Sequence, residues 1–350
     1  MENVLRTLQF DEQYCLEILE ELLSIDSTTG QYTEIENKVC SLLDGLGAGY
    51  IRTHKGGVIA DLGGEGDPLV VTAHLDDIGL MVRHINPDGT LRVCPVGGLY
   101  PFYSVTENVR VYTRDKKVYT GSICRVPGSI HVTEDEIRKT LPDFDSNVCV
   151  ILDEDVKCAS DARALGIETG DIVALEPRFR VVNGYIKSRF IDDKAAAAIC
   201  LAAIKRIREN GMTPRRRVYF YFAMYEEIGH GTAYLPEGVK DILAVDIAPT
   251  GPAQTSDERK VTIFAKDSRF PYHYEMTNEL RQTAINNGID HVIDVFTPHY
   301  GTDGDGSVLA GYDIRHAAIG FGTLNSHGYE RAHIEGLRQT YGLLVSYLMK

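Results

Sequence analysis

Tyr225-Glu226-Glu227-Ile228-Gly229 places two adjacent carboxylates directly after an apolar run, Val218 to Met224. The run reads as a buried central strand. Carboxylates at the end of such a strand are costly to bury unless positive charge sits beside them. Successive side chains on an extended segment diverge, so one Glu can bind a metal while its neighbour handles a proton. Other polar residues recur at the same kind of place. His74 follows Leu69 to Ala73, Asp192 opens an alanine-rich run, Asp246 follows Ile242 to Val245, and His327 lies in the loop Asn325 to Glu330. In open α/β sheets, sites gather at the carboxyl ends of strands. One Asp bridging two ions, with one His and one carboxylate added to each, makes a two-metal hydrolytic site. Imidazole and carboxylate ligands suit zinc, cobalt or manganese. Glu226 is then the free carboxylate that takes a proton from water. Taken singly, His74 reads as a core histidine, Asp192 as a helix N-cap, Asp246 as a turn residue and His327 as a surface histidine. Their joint recurrence at element ends favours a site.

The elements that must position these residues alternate. Asp11 to Leu23 has apolar residues at helical spacing. A second helix follows Thr33, with Thr33-x-x-Glu36 as a capping box. Strands are expected around Tyr50-Ile51, Val58 to Ala60 and Leu69 to Ala73. From Leu80 to about Lys187 the texture changes to short β-rich runs broken by turn residues such as Asn86-Pro87-Asp88-Gly89. Leu91-Arg92-Val93, Val109 to Tyr112 and Asn147 to Leu152 read as strands, and long helical periodicity is absent. Ala195 to Ile207 is strongly helix-forming, with Asp192 and Asp193 at the end where negative charge is favoured. Tyr274 to Asn287 reads as a helix and His291 to Phe296 as a strand. Tyr300 to Gly306 reads as a glycine-rich loop, Ile314 to Ile319 as a strand and Ile334 to Tyr347 as a closing helix. The expectation is an α/β sandwich formed by residues 1–79 and 188–350, with a small β-rich domain inserted at 80–187.

Bulk properties narrow the classes. A chain of 350 residues exceeds one ordinary core, so two domains are the default. Its 43% hydrophobic and 25% charged residues are those of a globular protein. A net charge of −14 opposes nucleic-acid binding, which needs a basic surface. No apolar run approaches a membrane span, and Met1 to Phe10, with Glu2 and Arg6, lacks the pattern of a signal peptide. Seven scattered cysteines without a Cys-x-x-Cys pair read as free thiols and fit a reducing cytoplasm, not a thiolate zinc site.

Several motifs together resemble metallopeptidase family 42. They are His74-x-Asp76-x-Ile78-Gly79, Asp192-Asp193-Lys194, Glu226-Glu227-x-Gly229, Asp246 with Ala248-Pro249-x-Gly251, Gly301-Thr302-Asp303 and His327-x-x-Glu330. The family comprises the glutamyl and deblocking aminopeptidases that build tetrahedral particles, some of them once labelled endoglucanases. The longest gap falls between His74 and Asp192, where this family inserts a PDZ-like β-domain. Family 20 relatives place their extra domain later in the chain. The resemblance implies a three-layer α/β/α catalytic domain and two divalent ions, zinc first, with cobalt or manganese as alternatives. It implies that Asp192 bridges the ions, that His74 and Asp246 complete one site, and that Glu227 and His327 complete the other. Glu226 is the implied base and Asp76 orients His74. Thr302 and Asp303 match a loop near the substrate, and the implied assembly is a dodecamer built through the β-insert. Lys194 replaces the usual Arg, Gly229-His230-Gly231-Thr232 lacks the frequent Arg-Gly, and Pro is missing between His327 and Glu330; these departures bear on substrate preference. The expected activity is removal of N-terminal residues from short peptides. The alternatives are a family-20-type carboxypeptidase or deacylase and a silent peptide-binding scaffold. A glycosidase fits poorly, because its carboxyls face each other across a sugar at roughly 5–9 Å, which sequence neighbours rarely do.

Overall fold

The structure, a computed structural model, describes residues 4–350. Met1 and Glu2, used in the reading of the N-terminus, lie outside them. The described residues divide into two compact units. One comprises residues up to Ile25, Tyr32–Asp76 and Arg178–Lys350, and the other comprises Asp26–Gln31 and Asp77–Pro177.

The first unit is a mixed α/β fold around an 11-stranded sheet. Its centre is four mutually parallel strands in the order Arg216–Ala223, Glu65–His74, Asp241–Pro249 and Arg315–Leu324. Their apolar runs are continuous because both faces are covered; Leu69, Val70, Val71, Leu243 and Val218 are fully buried. Antiparallel strands complete the edges, Val58–Asp61 and Gly49–Arg52 on one side and Glu330–His333, Tyr185–Ser188 and Arg180–Val182 on the other. Parallel pairing aligns the carboxyl ends, with Ala223 directly opposite His74. A Cβ at Gly320 would run into the main chain of Asp246, so glycine lets the strand beside Asp246 approach.

The helix Ile191–Glu209 packs on the strands Glu65–His74 and Asp241–Pro249. Ala195 to Ala198 are all fully buried, and their small side chains let it lie close to the sheet. The helix Glu12–Leu23 starts at Asp11, whose carboxylate accepts from Tyr14 N at 3.2 Å and receives Lys205 Nζ at 3.0 Å. The expected Thr33 capping box does not form. Thr33 is already helical, Tyr32 occupies the N-cap, and no side chain caps it. Gly301 to Gly306 is also more regular than its glycine content suggests: Asp303–Leu309 is a helix, with Asp303 and Asp305 in the first turn where the dipole favours acids.

Asp241, at the start of its strand, is 1% exposed and bonds Arg216 and Arg315 at 2.7 Å each. Burial alone would raise its pKa, but the two guanidiniums outweigh it and hold the carboxyl below its ordinary value. Its contribution to stability is therefore complete above the ordinary carboxylate range and fades as pH falls through the lowered pKa. Asp241→Asn is expected to cost about 2–3 kcal/mol at neutral pH. Urea unfolding of the two proteins should show this difference shrinking in acid.

The second unit is a closed barrel in which Gly79–Ile85, Leu91–Val96, Val148–Leu152, Val118–Arg125, Asn108–Tyr112 and Ile172–Leu175 pair in that order. The last strand returns to the first through Leu80 and Val173. Period-two alternation fills the interior with Leu80, Val82, Val93, Val111, Ile123 and Val150, all buried. Two short helices, Asp135–Arg138 and Ala159–Ala164, interrupt the strands. All seven cysteines are free; Cys15, Cys40, Cys149 and Cys200 are buried. Among the described residues, no helix is long and apolar enough to cross a membrane.

Candidate active site

The carboxyl ends of the four central strands bring the expected residues together within the first unit. His74 ends its strand, and Asp246 lies near the end of the next one. Glu226 and Glu227 follow the strand Arg216–Ala223 in a 3₁₀ turn, and His327 follows Arg315–Leu324. The chain turns sharply at these points. Phe190, Tyr225 and His327 all adopt left-handed backbone conformations with φ of 65°, 71° and 64°. Non-glycine residues there cost energy and cluster where a site must be shaped.

Asp192 is central. Its Oδ1 lies 3.2 Å from His74 Nε2 and its Oδ2 lies 3.7 Å from His327 Nε2. One carboxylate oxygen thus faces each imidazole. His327 Nε2 is also 3.4 Å from Glu227 Oε2, and His74 Nε2 is 3.7 Å from Glu226 Oε2. Donor atoms of His74, Asp192 and Glu227 lie within 4.8 Å of one another, as do those of His74, Asp193 and Asp246. Glu226 belongs to neither trio, and its side chain is more accessible than that of Glu227, 14% against 4%.

Main-chain contacts hold these groups in place. Both oxygens of Asp76 accept from the turn, from Glu226 N at 3.1 Å and Glu227 N at 3.3 Å. His74 Nδ1 meets Asp76 at its main-chain carbonyl, 3.0 Å away, with the carboxylate at 3.6 Å. Asp76 therefore aligns the glutamate pair as well as the imidazole. Thr302 and Asp303 are buried. Asp303 accepts from Thr72 Oγ1 at 2.7 Å and packs on Gly231, where a Cβ would strike its carboxylate, while Thr302 Oγ1 lies 3.0 Å from Tyr272 OH.

The sequence motifs assign no role in the site to three further contributors. Glu330 accepts from Asp192 N and His327 N, each at 3.1 Å, and so ties together the two segments that carry those side chains. Asp193 Oδ2 accepts from His74 N at 3.1 Å. Ser326 Oγ donates to Asp192 Oδ2 at 3.1 Å. The doublet Asp192-Asp193 and the pattern His327-x-x-Glu330 were visible signals, but only folding shows that Asp193 and Glu330 bind main chain. Glu330→Ala is expected to weaken metal binding by about 10–100-fold, read by competition with a chelating dye.

The electrostatics identify what the cluster lacks. Burial raises Glu226, Glu227 and Asp193 well above the ordinary carboxylate value, and neighbouring acids reinforce the shift. Burial pushes Asp246 up to about 8. Burial alone would lower His74; the carboxylates of Asp192, Glu226, Asp193 and Asp76 outweigh it and hold it well above its usual value. Asp192 is the exception, held low mainly by His74 despite its burial. The site concentrates more negative charge than its imidazoles neutralise. Oxygen and imidazole donors converging in such a place fit divalent cations.

Comparisons with known proteins agree. A profile of the M42 glutamyl aminopeptidases matches residues 56–343. A putative aminopeptidase of Bacillus subtilis, YhfE, is 37% identical over 338 residues, covering 95% of this chain and 96% of its own. The lysyl aminopeptidase of Pyrococcus furiosus is 25% identical, covering 70% of this chain and 69% of its own. Among solved structures, the Pyrococcus horikoshii TET1 peptidase superposes with a TM-score of 0.84 at 23% identity, covering 96% of this chain and 99% of that one. The match in fold, the length of the profile alignment and the YhfE likeness lead to one conclusion: this chain belongs to the M42 glutamyl aminopeptidase family, whose members are metal-dependent hydrolases of N-terminal peptide bonds.

Proposed function

We propose that this protein is a dinuclear metal aminopeptidase that removes N-terminal residues from short peptides in the cytoplasm. The observation that carries the reading is the arrangement of Asp192 between two imidazoles, with Glu226 beside it and in neither trio of converging donors. Asp192 would bridge two divalent ions, zinc first and cobalt or manganese as alternatives. His74 and Asp246 would complete one set of ligands, and Glu227 and His327 the other. Asp193 is less suited to the bridge because its Oδ2 is engaged by His74 N. When bound, the ions supply the Lewis acidity that acidifies water and polarises the scissile carbonyl.

The chain's own residues do the rest. Glu226 takes the proton as water attacks, then returns it to the leaving amine. Asp76 holds the two glutamate amides, so the base keeps its angle to the reacting atoms. Acidic side chains around the centre attract the free α-amino group of a peptide, which favours removal of the first residue over internal cleavage. Thr302 and Asp303 shape the substrate side from beneath. The inserted region 80–187, which holds most of the barrel unit, is the proposed PDZ-like oligomerisation module of a three-layer α/β/α enzyme. A homo-oligomer, with the dodecamer as the specific expectation, is supported by a relative of this fold whose structure is a dodecamer.

The test is an amino-acyl substrate panel on metal-stripped protein with zinc, cobalt and manganese added back singly. Turnover of free-amino substrates, with N-acetylated peptides untouched, is expected. Preferential hydrolysis of N-acyl amino acids would assign a carboxypeptidase or deacylase instead, and metal uptake without turnover would assign a scaffold.

A further inference from the structure

Cys124 and Cys149 are direct cross-strand partners in the barrel. Two backbone bonds, Asp153 N to Thr120 O and Val126 N to Asn147 O, set which alternate pairs of this ladder exchange hydrogen bonds. Cys124 and Cys149 fall in that phase. Such a pair has its Cα atoms about 5.5 Å apart, inside the span of roughly 4.4–6.8 Å that a disulfide bridges. Their neighbours Ile123 and Val150 are fully buried in the barrel interior, so the two thiols share the opposite face. Cys124 is half-buried and Cys149 is buried, so Cys124 is the more accessible residue of the two. Nothing in the proposed hydrolysis uses either.

We propose that Cys124 and Cys149 are a reversible dithiol–disulfide site, oxidised by small-molecule disulfides. The Cys124 thiolate attacks one sulfur of the reagent, its S–S bond breaks, and one thiolate leaves. The Cys149 thiolate then attacks Cys124 Sγ, forms the intramolecular bond and expels the second thiolate. The protein loses two electrons and two protons, and the reagent is reduced to two thiols.

Two features make the bond slow to form and easy to reduce. Burial raises both thiol pKa values, with Asp153 reinforcing Cys124 and Cys124 itself reinforcing Cys149, so the attacking thiolate is scarce. Cβ atoms facing each other across a ladder are about 4.5–5.5 Å apart, wider than the roughly 3.8 Å of a relaxed disulfide. The resulting strain raises the reduction potential and suits a labile bond over a structural one. Once formed, the bond fastens the foot of the excursion between the two strands, which carries the exposed apolar side chains Ile130, Val132 and Leu141.

The experiment is peptide mapping of the full-length protein after exposure to oxidised glutathione, with free thiols alkylated before tryptic digestion. Residues 118–125 and 140–157 are separate tryptic peptides with one cysteine each. They are expected to appear covalently linked and to separate on adding dithiothreitol. Cys124→Ser and Cys149→Ser should each abolish the linked species. Recovery of both peptides alkylated, or of Cys124 capped by glutathione with Cys149 still free, would overturn the proposal. The wild-type map decides even if a variant folds poorly, and the result is independent of peptidase activity.

Discussion

Glu226→Gln is expected to lower kcat by roughly 10²–10⁴-fold, the range for losing a positioned general base, while leaving metal content intact. The amide keeps the size of the side chain and cannot accept the proton. Glu226 lies outside both trios of converging donors, so its removal takes no ligand from them. Its main-chain bond to Asp76 is also retained. The measurement is kcat and KM on an amino-acyl p-nitroanilide, with bound metal quantified on the same sample. A full loss of metal would reassign Glu226 as a ligand. Unchanged kcat would remove it from the mechanism.

Asp192→Asn is expected to strip both ions from the protein, whereas His327→Gln strips one. The contrast follows from geometry: the two oxygens of Asp192 face different imidazoles, and His327 faces only the side shared with Glu227. Both variants lose activity, so metal content after gel filtration is the deciding readout. Equal stoichiometry in the two variants would sink the bridging role. Chelation of the wild-type protein should reproduce the Asp192→Asn state and destabilise the fold, because the converging carboxylates are then left with too little positive charge. Ligand linkage sets the scale: an ion present at about 1,000 times its Kd contributes about 4 kcal/mol. The fall in Tm on adding chelator, and its recovery with zinc, cobalt or manganese, measures this term.

Much of the fold was legible because strong local patterns agreed with tertiary needs. The helix Tyr274–Asn287 and the alanine-rich helix after Asp193 stand where helical periodicity and propensity place them. Local rules failed where context decided. A Thr-x-x-Glu pattern at Thr33 is a capping box only if Thr33 stands outside the helix, and the chain begins its first turn there. The glycines of residues 301–306 suggested a loop, but packing of this segment against Thr72 and Gly231 makes it a helix start.

The sequence by itself determined the chemical inventory. It showed which residue types stand at the ends of buried strands, and the order of the motifs is enough to name the family. Those facts are local or compositional, and they survive without coordinates. The tertiary structure decided which oxygen faces which imidazole. Parallel pairing alone aligns four strand ends distant in the chain, and left-handed turns at Phe190, Tyr225 and His327 then aim their neighbours. It also gave Asp192 and Asp193, adjacent residues of one type, different surroundings: the oxygens of Asp192 face the two imidazoles, while Asp193 spends one oxygen on the main-chain N–H of His74. No one-dimensional pattern distinguishes them, because the difference lies in the direction of the side chain, and direction is set by the packed backbone.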